Sequence, residues 1–170
     1  MLSKTLEKAL NEQVAVEGHA SYAYLAMGSW CEQQGMTGAA KFFFAQSEEE
    51  RAHMLKIFHY INSVKGHALA PAIKQPSLNF KGVVEMVKEA LRNEEKVTAS
   101  VYKLSELAQK EKDYGTYNFL QFYVDEQREE EVLFNHILER IELIGTEGMG
   151  RYYIDKELEA LAGGTAPAAE

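Results

Sequence analysis

Residues 47–58 read SEEERAHMLKIF, from Ser47 to Phe58. Three glutamates stand in a row, and a histidine follows three places after the last. KFFFAQ (41–46) precedes the stretch and MLKIF closes it, and both have core composition. KFFFAQ itself reads as core plus a contact between subunits. On a helix, positions three, four and seven apart share a face. From Glu50 that row is Phe43, Ser47, Met54 and Ile57, with His53 beside it. Glu50 therefore lies on an apolar stripe. Glu48 points to solvent, and Glu49 lies on the edge of the stripe, about 100° from Glu50.

The same count outward along the chain finds three more such rows. Leu10, Val14, Glu17, Ser21 and Tyr24 share one; Val87, Leu91, Glu94, Thr98 and Val101 share another. The last holds Leu120, Val124, Gln127, Phe134 and either Glu130 or Glu131. Each row belongs to a separate long helical segment, and each carries a carboxylate near its middle.

The segments are set by their end signals. The first runs from the cap candidate Ser3 to about Gln34, before Gly35. The second runs from a second cap candidate, Thr37, to about Lys65, before Gly66. HALAPAIKQPSLNFKG (67–82) holds two of the three prolines and no helical period, so it reads as a long connection. The third segment runs from about Gly82 to Lys112; DYGTYN (113–118) breaks it, and the fourth runs from about Tyr117 to Leu143. GTEGMG leads into a short amphipathic stretch, RYYIDKELEALA (151–162), and the tail GGTAPAAE reads as disordered.

Rods of nearly thirty residues are about 40 Å long. Short connections pair the first with the second and the third with the fourth, each antiparallel, and the long connection can span the bundle. The expected fold is all-α: a four-helix bundle with one long crossover plus a short C-terminal fifth helix. The expected division is one domain over 1–162 and a flexible tail over 163–170. In the fifth helix, Tyr152, Leu158 and Leu161 can share one side, with Asp155, Lys156 and Glu159 largely on another. Its apolar side is expected to meet the same helix in neighbouring subunits.

Composition narrows the function. A net charge of -8 disfavours nucleic acid as a partner. No apolar run approaches the roughly 18 residues of a membrane span. The start, MLSKTLEKALNEQ, lacks the apolar region of a signal peptide. The single cysteine, Cys31, cannot form an intrachain disulfide, which fits a reducing cytoplasm.

A lone glutamate on an apolar stripe commonly snorkels to water, and a lone His53 commonly sits satisfied in a core. Four such acids are different. A buried carboxylate without compensation costs several kcal/mol, and four would exceed the roughly 5–15 kcal/mol stability of a domain. No lysine or arginine shares the stripes: Arg51, Lys56, Lys88 and Lys96 all lie off them. A metal cation is the remaining counter-charge. Oxygen donors with one imidazole suit iron or manganese, and a lone cysteine excludes a thiolate site.

YAYLAMGSWC (22–31), SEEERAH and YVDEQREEE (123–131) resemble the non-haem ferritins of bacteria, within the ferritin-like di-iron carboxylate family. The resemblance covers about residues 1–160. It implies that Glu17, Glu50 and His53 bind one iron, that Glu50, Glu94 and Glu130 bind a second with Glu50 bridging, and that Gln127 lies beside the first. It further implies a third iron position at Glu49, Glu126 and Glu129 with Glu130, and a tyrosine, Tyr24, beside the di-iron centre. Tyr24 would supply an electron or a hydrogen bond; a satisfied core tyrosine is the competing reading. Gln127 and Glu130 stand where a bacterioferritin carries a second Glu-x-x-His, and Arg51 stands where its haem-ligating methionine would be, so no haem is expected. These replacements suit a labile centre through which iron passes.

The implied activity is ferroxidase. Two Fe(II) ions each give an electron to dioxygen or hydrogen peroxide, and Fe(III) is stored as a ferric oxyhydroxide mineral inside a cytoplasmic homo-oligomeric cage of twenty-four subunits. The alternative is a di-iron oxidase or peroxidase of the same fold that stores nothing. His19, His59, His67 and His136 match no motif and read as surface or interface residues; Trp30 and Cys31 read as packing.

Overall fold

In a computed structural model that describes residues 2–162, five helices carry the fold, with no strand among the described residues. They are α1 (Lys4–Gln33), α2 (Thr37–Ser63), α3 (Val83–Lys110), α4 (Tyr114–Ile144) and α5 (Gly150–Leu161). The expected tail over 163–170 lies outside the described residues. The four long helices form the expected bundle.

The seam between α1 and α2 is close because small residues line it. Ser21 and Ser47 exchange hydroxyl-to-carbonyl hydrogen bonds at 2.7 and 2.8 Å. A Cβ on Gly28 would stand 2.5 Å from the ring of Phe44. Rings fill the space between α2 and α4: Tyr60 stacks on Phe119 at 3.8 Å between centroids, and the Tyr123 hydroxyl donates to the His53 carbonyl at 2.8 Å.

Residues 64–82 cross over along α1, and three contacts fix their course. The Asn11 side chain donates to the His67 carbonyl at 3.0 Å and accepts from the Leu69 amide at 2.7 Å. Ile73 lies over Gly18, where a Cβ would come within 2.6 Å of it. Phe80 meets Trp30 edge-on at 5.9 Å. The contact points advance along α1 from residue 11 to 18 to 30, so the crossover traverses the bundle and starts α3 at the far end.

The apolar core is divided in two. One cluster, with Tyr24, Met27, Phe42, Phe43, Met86 and Phe134, fills the end near the α1–α2 turn. The other, with Leu6, Leu10, Ile57, Ile61, Val101 and Leu120, fills the opposite end. The stripe carboxylates occupy the layer between them.

Several expected boundaries shift for identifiable reasons. Ser3 does cap α1, its hydroxyl accepting from the Leu6 amide at 3.0 Å. Thr37 does not cap α2: the cap position is Met36, which makes no side-chain cap bond. The carboxylate of Asp155, on α5, instead accepts from the Ala39 amide at 2.8 Å. The α2 terminus closes with Lys65 in the left-handed region (φ 65) and the Gly66 amide donating to the Ile61 carbonyl at 2.9 Å. Lys112 (φ 59) plays the same part after α3. Asp113 then caps α4, accepting from the Thr116 amide at 2.9 Å, so α4 begins at Tyr114, three residues earlier than expected.

The largest correction concerns α5. It does not leave its bundle but lies back over α2 and α4 of the same subunit. Its inward row is Ile154, Leu158 and Leu161, while Tyr152 and Tyr153 are more than half exposed. Gly38 permits the approach, since a Cβ there would stand 2.3 Å from the Asp155 carbonyl oxygen. Ion pairs Lys41–Glu159 and Arg140–Glu157, each at 2.6 Å, flank the contact, and Arg151 donates to the Gln34 carbonyl at the end of α1.

Candidate metal centre

Helical periodicity brings Glu17, Glu50, His53, Glu94, Gln127 and Glu130 into the layer between the two apolar clusters. All six are at most 5% exposed. The alternative on α4 is resolved in favour of Glu130: Glu131 is half-buried, and its carboxylate accepts from the Thr98 hydroxyl at 2.5 Å. Glu48 is exposed, as its position on the helix predicts.

Ligand atoms of Glu17, Glu50 and His53 all lie within 4.8 Å of one another. So do those of Glu49, His53 and Glu126, at the more open side of the layer. Glu129 is exposed next to this second group, and its charge acts on Glu49 and Glu126. His53 thus stands between the two groups, its Nδ1 3.6 Å from Glu50 and its Nε2 3.8 Å from Glu126. Neither contact is an ion pair. Burial, with a smaller contribution from the Lys56 charge, pulls the imidazole down to about 4, so it is neutral at pH 7 and its nitrogens can ligate.

The hydrogen bonding within the layer is incomplete in a telling pattern. Protein atoms give no partner to Glu17 Oε2, either oxygen of Glu50, His53 Nδ1 or Glu130 Oε2. Buried polar atoms are nearly always paired, so five orphans in one layer mark a place for a bound species. Glu94 differs. Its Oε1 accepts from the Tyr24 hydroxyl and its Oε2 from Gln127 Nε2 at 3.0 Å. Tyr24 is thereby satisfied, stacked on Phe134 at 5.8 Å.

The acids repel ionisation. Burial pushes Glu17 up to about 7 and Glu130 up to about 9. Glu50 is raised well above the usual carboxylate range, by burial first and then by the charges of Glu94, Glu17 and Glu130. Glu94 is raised by burial, against the hydrogen bonds from Tyr24 and Gln127. The protein therefore keeps protons on this layer at neutral pH, and a metal cation would displace them. Among the described residues no lysine or arginine enters the layer. Lys56 sits at its edge, 2.8 Å over the Phe122 ring. Cys31 lies in the end cluster, and burial pushes its thiol up to about 12, which leaves it inert.

The sequence reading missed two polar residues of this layer. Gln13 is buried and donates to Glu17 Oε1 at 2.8 Å, and Ser100 on α3 donates to Gln13 Oε1 at 2.5 Å. Gln13 stands four residues before Glu17 on the same row, a position from which it could have been noticed. Of the unassigned histidines, His19, His59 and His67 are exposed and His136 is half-buried, and none belongs to either ligand group.

The chain is similar to known proteins over nearly its whole length. A family model for the ferritin-like domain matches residues 7–144. A bacterial non-heme ferritin of Campylobacter jejuni is 41% identical over 162 residues, 95% of this chain and 97% of that protein. One from Staphylococcus aureus is 41% identical over 160 residues, 94% of this chain and 96% of that protein. Among solved structures, an open pore ferritin from the hyperthermophilic archaeon Archaeoglobus fulgidus superposes with a TM-score of 0.91 at 33% identity, covering 94% of this chain and 98% of that one.

Proposed function

The chain belongs to the ferritin family, and from that premise and the buried acid layer we propose that it oxidises Fe(II) and stores the product as a ferric mineral. The observation that carries this reading is the set of five unpartnered buried ligand atoms on three helices, with no cationic side chain among the described residues to compensate them. Iron is the substrate. One Fe(II) is taken by Glu17, Glu50 and His53, and a second by Glu50, Glu94 and Glu130, with Glu50 between them. Gln127 lies beside the first. Glu49, Glu126 and Glu129, with Glu130, form a third iron position at the open side.

Two Fe(II), one dioxygen and two protons give two Fe(III) and one hydrogen peroxide, which can accept two further electrons. Anionic oxygen donors favour the ferric state. Glu17, Glu50 and Glu130 hold protons in the metal-free layer and release them on binding metal, next to where the two protons are consumed. Tyr24, hydrogen-bonded to Glu94, holds that carboxylate in place and is the side chain we assign to give a further electron. The ferric product then hydrolyses to an oxyhydroxide. Storage requires a homo-oligomeric cage, by family twenty-four subunits, and exposed Tyr22, Leu25, Tyr102 and Leu143 offer apolar surface for its contacts. Arg51 is exposed beside Glu50 and supplies no haem ligand. A cytoplasmic location fits the free, buried Cys31.

The packing of α5 on its own subunit favours weighing a second reading, a di-iron oxidase or peroxidase without storage, because that helix no longer demands a neighbour. Aerobic Fe(II) addition followed by gel filtration separates the two. The storage reading expects ferric absorbance that elutes with a high-mass protein peak; oxidation with iron left behind as free precipitate supports the oxidase.

A further inference from the structure

Glu17 is held by a chain that crosses from α1 to α3. The Ser100 hydroxyl donates to Gln13 Oε1 at 2.5 Å, and Gln13 Nε2 donates to Glu17 Oε1 at 2.8 Å. Gln13 is 1% exposed and Glu17 is fully buried, whereas Ser100 is half-buried and lines an outer groove between α1 and α3. The chain has a direction. Ser100 can satisfy the carboxamide oxygen only as a donor, which turns the amide NH2 of Gln13 toward the carboxylate. The carboxylate is then held through Oε1, and Oε2 is the oxygen left without a protein partner. That free oxygen belongs to the residue grouped with Glu50 and His53.

We infer that Gln13 is the positioning residue of the first iron position, and that Ser100 acts only through it. This rests on the iron-centre reading above. Gln13 touches no iron. It fixes which oxygen of Glu17 is presented and in which orientation from one turn earlier on the same helix, α1, and is itself held by Ser100 on α3, which contributes no ligand to that position. Outer partners of metal ligands change affinity about 10–100-fold when removed, and that is the scale expected here. The mirror arrangement at Glu94, tied on both oxygens by Tyr24 and Gln127, is independent of this chain.

The test uses a redox-inert probe on the full assembled protein: anaerobic Co(II), followed by calorimetry and by its visible absorption. The step abolished by Glu17→Ala and weakened by His53→Ala reports the first position, and the step abolished by Glu94→Ala the second. Gln13→Leu should weaken the first step about 10–100-fold and alter its visible band, with the second step unchanged. Ser100→Ala should act in the same direction and less. The double variant should match Gln13→Leu alone, since the two residues act in series. Unchanged first-step affinity in Gln13→Leu, equal losses at both steps, or additive effects in the double variant would overturn the inference. If Gln13→Leu fails to fold, an unaltered first step in Ser100→Ala overturns it alone. A wild-type protein with no step sensitive to His53 would overturn the iron-centre reading itself.

Discussion

At the residue scale the acid layer trades stability for ligation. Glu130 is raised to about 9 by burial, against about 4.5 in an unfolded chain. A carboxyl raised on folding contributes stability fully below the unfolded value, where both states are protonated. That contribution is lost as pH rises toward the folded value, because only the unfolded chain then gives up its proton. The metal-free protein should therefore lose stability between about pH 4.5 and 9. Glu130→Gln should raise the metal-free melting temperature at pH 8 by about 2–4 °C or more, equivalent to about 1 kcal/mol, and leave it unchanged near pH 4.5. The same variant should lose part of the stabilisation conferred by Zn(II). Differential scanning calorimetry at the two pH values checks both; a lower metal-free melting temperature at pH 8 would contradict the buried-acid reading. For oxidation, Glu50→Ala or His53→Ala should slow Fe(II) turnover tenfold or more in stopped flow, and Glu48→Ala should not. Helical spacing in the sequence was enough to place Glu17, Glu50, His53 and Glu94 on inward faces. It left Glu130 and Glu131 unresolved, because they differ by one position, and burial of Glu130 and the Thr98 hydroxyl bound to Glu131 set them apart only in the folded chain. Ser100 escaped notice because its partner lies 87 positions away.

At the element scale, helix ends were readable where the signal is local and unreadable where it is not. Ser3 and Gly35 sit at their expected ends. Glycine marked the end of α2, yet Lys65, not Gly66, takes the left-handed conformation. Gly66 is needed next to it because a Cβ there would stand 2.9 Å from Ile61 Cγ2. Lys65→Gly and Lys112→Gly should each stabilise the protein by about 0.5–1 kcal/mol, by removing a left-handed side chain; urea midpoints test this. The cap of α2 comes from Asp155, 116 positions away, and no local reading reaches it. Amphipathicity does give α5 an apolar side, but Ile154 and not Tyr152 lies on it. Truncation after Thr146 should therefore destabilise the subunit itself. Ile154 and Leu158 are each 1% exposed, and losing their burial costs about 3–6 kcal/mol together. A truncated chain that melts like the full-length one would contradict the packing described for α5.

At the scale of the whole molecule, two apolar clusters give the bundle its stability and the layer between them gives it its chemistry. Four helix rows with an acid at mid-length were sufficient to expect the acids to meet at the middle of the bundle; the two separate apolar clusters are seen in the folded chain. Where α5 docks depended on contacts that only the folded chain reveals. The central claim is that iron binds in that layer, and crystals soaked anaerobically with Fe(II) test it most directly. Anomalous difference maps at the iron edge should show one peak among Glu17, Glu50 and His53 and a second among Glu50, Glu94 and Glu130. A layer with no anomalous peak, in crystals whose iron sits only at surface acids, would contradict it.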